Sequence, residues 1–331
     1  MAYTVHRAKI TTGLFLLKVN AKSILSARDR IAARVRRTPL EESLHLSKRF
    51  DTGIFLKLEN WQKTGSFKIR GALNKMLTLT RKERQKGVVT ASAGNHALGV
   101  AQAAAWLGIR TTIFVPEGAS QAKVKALQAY DLDLIQQGVD YDESEELAWQ
   151  FQERAGAVFI HAFSDPEIIA GQGTIGLEIV DELPGVETVI VPIGGGGLIS
   201  GVALAAKSQN GGVKVQGVQS EASPAMYDAL QAGKVVESPV HETIADGLAG
   251  RFVTDLTLGL VQEYVDDVVL VPEQAIADAV RLLFDWEHFI VEGSAAVCVA
   301  ALLAERVRPQ GKTAVVITGR NIAPETVRQI L

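Results

Sequence analysis

Nine short runs rich in β-branched and apolar residues recur along the chain: GIFLKLE, GVVTAS, TTIFVP, LDLIQQ, AVFIHAF, TVIVPIG, VKVQGVQSE, VDDVVLVP and TAVVITG. Alanine-rich amphipathic stretches such as HALGVAQAAAWLG and LISGVALAAKSQ lie between most of them. Parallel strands need long crossovers, usually helices, and strands covered on both faces lose the alternation of a half-exposed sheet. The pattern therefore predicts an α/β chain with open, mostly parallel twisted sheets and helices on both faces. Residues 85–165 are expected to form a small sheet, and residues 23–84 with 166–331 a larger one. Residues 1–22 read as an N-terminal extension, because the apolar core GLFLL is too short for a secretory signal and no A-x-A site follows it.

Composition narrows the partners. The formal net charge of -3, with no basic block, argues against nucleic acid. No uninterrupted apolar run approaches the roughly 18 residues of a membrane span. Cys298 is the single cysteine, so no internal disulfide is possible and a reducing, cytoplasmic setting is expected. Its surroundings, AAVCVAALL, suit a packed small residue.

Three turns carry chemistry. In TVIVPIGGGGLISG an apolar strand runs into Gly194, Gly195, Gly196 and Gly197 and then a helix, which lets backbone N–H groups converge on a phosphate. No Lys-Ser pair follows, so this is not a P-loop. The dinucleotide fingerprint is nearly met, with Ser200 in the third small position and Glu221 ending the next strand, and a nucleotide stays open as ligand. In VVTASAGNHALG a strand leads through Ser92, Ala93, Gly94, Asn95 and His96 into another helix, giving a second set of amides for an anion or simply an Asn95 cap. TAVVIT ends in Thr318, a hydroxyl at the edge where open α/β sheets bind ligands. Upstream, TGSFKIRGA places Lys68 in the first turn of a helix expected to be capped by Ser66. The positive helix end disfavours an ammonium there, which suits either a solvated surface lysine or an amine held for chemistry. A ligand with a phosphate, a carboxylate and an electrophilic carbon would use all these parts, and pyridoxal phosphate carrying an amino acid is one such ligand.

The segments ENWQKTGSFKIRGA, SAGNHALGVA, AGQGTIGLEI, PIGGGGLISG, IADGLAG and VEGSAA occur in the order seen in the threonine/serine dehydratases. From about residue 24 onward the chain resembles that family, part of the tryptophan-synthase-β-like (fold type II) pyridoxal-phosphate enzymes that include the serine racemases. The resemblance implies a cofactor cleft between a large and a small domain. It implies Lys68 as Schiff-base lysine and α-proton base, Phe67 against the pyridine ring, and Asn95 on the 3′-oxygen. Gly194, Gly195, Gly196, Gly197 and Leu198 would hold the phosphate, and Thr318 would face the ring nitrogen. Ser92, Ala93, Asn95 and His96 match the loop that receives the substrate carboxylate. The implied reaction is dehydration and deamination of L-threonine to 2-oxobutanoate, or of L-serine to pyruvate, with release of ammonia. A small β-hydroxy amino acid is then the partner, and a homodimer or homotetramer the expected assembly.

Four departures qualify the resemblance. Serine racemases carry serine where this chain has Ala93, which has no proton to exchange, so dehydration is favoured over racemisation. The usual serine-glycine-glycine-asparagine turn reads Thr318-Gly319-Arg320-Asn321. Arg320 either points to solvent or favours an acidic substrate such as 3-hydroxyaspartate. Metal-binding relatives use an acid, a carbonyl and a second acid where this chain has Glu221, Ala225 and Tyr227, so a tight divalent-cation site is not expected and Glu221 is the one acidic candidate left. The chain stops ten residues after Asn321, so no isoleucine feedback through a C-terminal domain is expected. Three readings remain in play: threonine/serine dehydratase; another β-hydroxy amino acid (3-hydroxyaspartate, phenylserine) dehydratase or a racemase; and a nucleotide-binding α/β module without catalysis.

Overall fold

Ten strands organise the chain in a computed structural model that describes residues 19–331. They are β1 (Leu40–Glu42), β2 (Ile54–Leu58), β3 (Val88–Ala91), β4 (Thr111–Val115), β5 (Asp133–Gln136), β6 (Val158–Phe159), β7 (Thr188–Pro192), β8 (Lys214–Ser220), β9 (Asp267–Val271) and β10 (Thr313–Ile317). One sheet has six strands in the order β1-β2-β10-β7-β8-β9, and the other has four in the order β5-β4-β3-β6. Every pairing is parallel except β1 with β2. The α/β class and the nine apolar strands agree with the sequence reading; the antiparallel β1 is an addition.

The six-stranded sheet is covered on both faces, as its continuous apolar strands require. Along β10, Val315 and Ile317 pack on one side, under the helices Glu273–Glu287 and Gly293–Leu303. The alternate residues Ala314 and Val316 pack on the other, under the helices Pro166–Glu182 and Gly197–Gln209. Cys298 is fully buried in the first of these layers, in keeping with a packing role. The four-stranded sheet divides in the same way: Val89 and Ala91 face the helix Tyr141–Ala155, while Ile113 and Val115 face the helix Asn95–Leu107.

The helix Pro166–Glu182 is central. Asp165 caps it by accepting from the N–H groups of Glu167 (2.8 Å) and Ile168 (3.3 Å), and Pro166 occupies the first turn, where no N–H is needed. It packs so closely on the helix Lys68–Thr78 that a Cβ on Gly171 would lie 2.7 Å from the Arg70 carbonyl oxygen. The first described helix, Ala21–Ile31, opens with an Asn20–Ser23 capping box. The expected extension lies outside the described residues as far as residue 18 and meets this helix at its end. Among the described residues, no helix is long and apolar enough to cross a membrane.

Candidate active site

The functional turns gather at the carboxyl ends of parallel strands. β3 leads into residues 92–94 and the helix from Asn95, β7 into the glycines and the helix from Gly197, and β10 into Thr318. Lys68 opens the helix Lys68–Thr78, whose N-cap is Phe67; this corrects the expectation of Ser66. Ser66 instead forms an antiparallel bridge with Gly319, and Phe67 N–H donates to the Thr318 carbonyl at 3.2 Å. The lysine segment is thereby stitched to the end of β10. The Asn95 helix abuts it as well, since a Cβ on Gly99 would meet the Lys68 backbone at 3.1 Å.

The Lys68 amine donates to the Ala162 carbonyl at 2.9 Å and lies 5.4 Å from the centre of the Phe67 ring. Burial lowers its pKa to about 8, and the charge of Glu292 opposes the shift. Desolvation, rather than the helix end invoked from the sequence, is the main cause. Asn95 does not cap its helix, where Gly94 is the N-cap. Its Nδ2 donates to Glu292 (2.7 Å), its Oδ1 accepts from Asn321 (2.6 Å), and Asn321 also donates to the Thr64 carbonyl (2.9 Å). Glu292 N–H in turn donates to the Gly319 carbonyl at 3.1 Å. Burial, reinforced by Asp246, raises the Glu292 pKa to about 7, against the Asn95 hydrogen bond that lowers it. Glu292, which had no assigned role in the sequence reading, is the carboxylate of this site. The only hint was its place in VEGSAA.

The glycine loop has no room for side chains. A Cβ on Gly195 would lie 2.5 Å from the Phe163 ring, and Gly196 has φ +91° with Met226 and Thr257 against it. Leu198 packs its side chain into the core, leaving its backbone at the helix start. Thr318 is buried with its hydroxyl oxygen unpartnered, an acceptor and donor left open at the strand end. A phosphate at the loop, an aldehyde at Lys68 and a ring nitrogen at Thr318 fit this set of groups.

Five candidates sit differently. His96 turns inward, its Nε2 against the Ile160 carbonyl at 2.9 Å, and burial followed by the Lys68 charge lowers its pKa to about 3. Ser92 Oγ accepts from Gly94 N–H at 3.1 Å, shaping the loop, and Ala93 packs partly against the neighbouring core. Arg320 uses its backbone N–H on the Gly65 carbonyl (2.9 Å) and leaves its side chain exposed. Glu221 makes a 3.9 Å ion pair with Arg306, and no group of three His, Cys, Asp or Glu able to hold a metal occurs among the described residues.

Residues 31–319 match the family described as pyridoxal-phosphate dependent enzyme. The chain belongs to that family. It is 49% identical over 297 residues to the L-threonine ammonia-lyase of Thermotoga maritima, covering 90% of this chain and 74% of the relative. It is 42% identical to the catabolic L-threonine dehydratase of Escherichia coli, covering 95% and 96% respectively. Maize serine racemase superposes with a TM-score of 0.90 at 37% identity, over 94% of this chain and 96% of that one. The fold is the fold type II architecture of these pyridoxal-phosphate enzymes, as the sequence resemblance implied.

Proposed function

We propose that this protein dehydrates and deaminates L-threonine to 2-oxobutanoate and ammonia, and L-serine to pyruvate and ammonia. The observation that carries the reading is the Lys68 amine. It is partly buried, it has a carbonyl rather than a carboxylate as its hydrogen-bond partner, and it lies beside two amide-bearing turns. Threonine ammonia-lyases similar over most of the chain support the same substrate.

Bound pyridoxal phosphate supplies an electrophilic carbon for the substrate amine and withdraws electrons from the α-carbon. The chain's own groups do the rest. Amides of Gly194 to Leu198 would hold the phosphate, Phe67 would flank the ring, and the Asn95 side chain and the Thr318 hydroxyl would orient it. Amides of residues 92–96 would take the substrate carboxylate, and the inward-turned His96 ring limits that residue's part to its backbone. Neutral Lys68 takes the α-proton, and the Ala162 carbonyl holds one of its N–H groups. Ala93 offers no proton on the opposite face, which favours elimination over racemisation. The sheet memberships support a division into residues 23–84 with 166–331 and residues 85–165. Exposed Leu44, Trp61, Phe284 and Ile290 support a homo-oligomer, which sedimentation would test.

The deciding assay follows oxo-acid formation from threonine, serine, phenylserine and 3-hydroxyaspartate, with chiral analysis of unreacted substrate. Threonine and serine are expected to yield oxo acid without racemisation. Binding of NAD or AMP with no oxo acid from any substrate would overturn the proposal. The exposed Arg320 at the end of the Thr318 turn favours one second reading, an acidic substrate. Preference for 3-hydroxyaspartate that is lost in Arg320→Gly would establish it.

A further inference from the structure

Residues 161–164 cross from β6 to the helix Pro166–Glu182 and touch both parts of the site. The Ala162 carbonyl accepts from the Lys68 amine, and the Phe163 ring fills the space beside Gly195. One imidazole shapes this crossing. His161 Nδ1 accepts the backbone N–H groups of Phe163 (3.1 Å) and Ser164 (2.9 Å). An Asx-turn uses the same logic, a side-chain acceptor satisfying backbone donors just downstream. The ring meets Phe163 edge-on at 4.6 Å and Phe159 at 6.3 Å, and Trp149 stacks on Phe159 at 3.7 Å. Accepting at Nδ1 requires the neutral ring with its proton on Nε2. Burial favours that form, lowering the pKa to about 4; Asp165 opposes this and the Lys68 charge assists it. His96, the other ring near Lys68, is spent on Ile160.

We propose that His161 is a positioning residue for Lys68. As a neutral double acceptor it holds the turn that aims the Ala162 carbonyl at the amine and seats Phe163 against the glycine loop. This inference rests on the reading of Lys68 as the amine that takes the cofactor and the α-proton. A hydrogen bond to a fixed carbonyl leaves the amine fewer orientations, so its lone pair points consistently and not at random.

The test compares His161→Asn with His161→Gln. Asn keeps an acceptor at the Nδ1 position, whereas Gln carries the same amide one bond further out and cannot close the turn. In cofactor-free protein, acylation of Lys68 by acetic anhydride, with acetate leaving, is followed by peptide mass spectrometry from about pH 6 to about pH 10. The Asn variant should label within about twofold of wild type, and the Gln variant should differ by about tenfold in rate at neutral pH. With pyridoxal phosphate restored, kcat on threonine should fall about tenfold in Gln with KM little changed, and recover in Asn. Equal labelling of wild type and Gln, or an Asn variant as altered as Gln, overturns the proposal. Should the Gln chain fail to fold, His161→Ala takes its place: wild-type labelling in Ala refutes the role, and altered labelling that Asn restores upholds it. Labelling needs no substrate, so the expected pattern without oxo-acid formation would uphold His161 and refute only threonine as substrate.

Discussion

Lys68 and Arg70 stand two residues apart on one helix, the first partly and the second fully buried, and their surroundings treat them in opposite ways. Positions two apart do not share a helix face. Arg70, fully buried, points into a cage of carboxylates: Glu59 at 2.7 and 2.8 Å, Glu178 at 2.6 and 2.9 Å, with Thr174 and the Arg36 carbonyl completing its donors. Lys57, also fully buried, adds a 2.8 Å pair to Glu178. Burial pulls the Arg70 pKa down, and the two carboxylates more than reverse it. Lys68 has one carbonyl, and its nearest influential carboxylate, Glu292, is held by Asn95 instead. A ligated buried charge is a fixed part of the architecture, whereas an unligated one gives up its proton easily and becomes a reagent.

Removing each cation tests that contrast most strongly. Lys68→Ala should lower turnover of threonine by at least about a thousandfold, because the base and the covalent attachment are lost together. Its cofactor-free fold should be as stable as wild type or more so at neutral pH, measured by urea unfolding. A strongly destabilised Lys68→Ala chain would mean that the amine is structural and the contrast false. Arg70→Met should do the reverse and cost about 3–5 kcal/mol of stability, by leaving Glu59 buried without a cation and Glu178 with Lys57 alone. A loss under about 1 kcal/mol in the same assay would show that the cage is dispensable.

How these sites read from sequence depends on whether the signal is local. The fully buried strands β3, β4, β7 and β10 were legible because a parallel strand covered on both faces is an apolar run. β1 was not, because its three residues, Leu-Glu-Glu, carry no apolar pattern and owe their extension to pairing with β2. Four glycines before a helix announce a close backbone, and Lys68 stood out by position and resemblance. The Ser66 cap was misread because the bridge to Gly319, a tertiary contact, diverts the residue. Glu292 is 197 positions from Asn95, so no spacing rule joins them. Ala162 acts through its carbonyl, which every residue possesses. The lowered Lys68 pKa was anticipated in direction, but its main cause is burial, a property of the assembled fold.

The same pair differs in how stability follows pH. The folded pKa of Lys68 lies near 8, below the ordinary 10.5 that an unfolded chain restores. Between those values the unfolded state holds more protons, so stability rises with pH. The cost of the buried ammonium is full below about pH 8 and vanishes toward 10.5. Cofactor-free wild type should therefore gain up to about 3 kcal/mol on Lys68→Ala across that window. The gap between wild type and Arg70→Met should stay flat there, because the guanidinium pKa is raised from an already high value. Urea midpoints at intervals between the two pKa values would show either a slope or none. A slope in the arginine series, or its absence in the lysine series, would break the comparison.

The smallest expected effect concerns the one carboxylate within electrostatic reach of Lys68. Glu292 has its pKa raised to about 7, so it is ionised above that pH and raises the lysine's pKa from there. Glu292→Gln preserves an oxygen for Asn95 Nδ2 and removes the charge. The Lys68 labelling midpoint in cofactor-free protein should then fall below about 8, by less than about one pH unit. Below pH 7 the two proteins should agree, since the wild-type carboxyl is already protonated there. If the midpoint does not move, Glu292 is insulated from the amine and Lys68 is tuned by desolvation alone. If it moves, the lysine retains a weak remnant of what Arg70 has in full: a carboxylate near enough to favour its charge, but not bound to it.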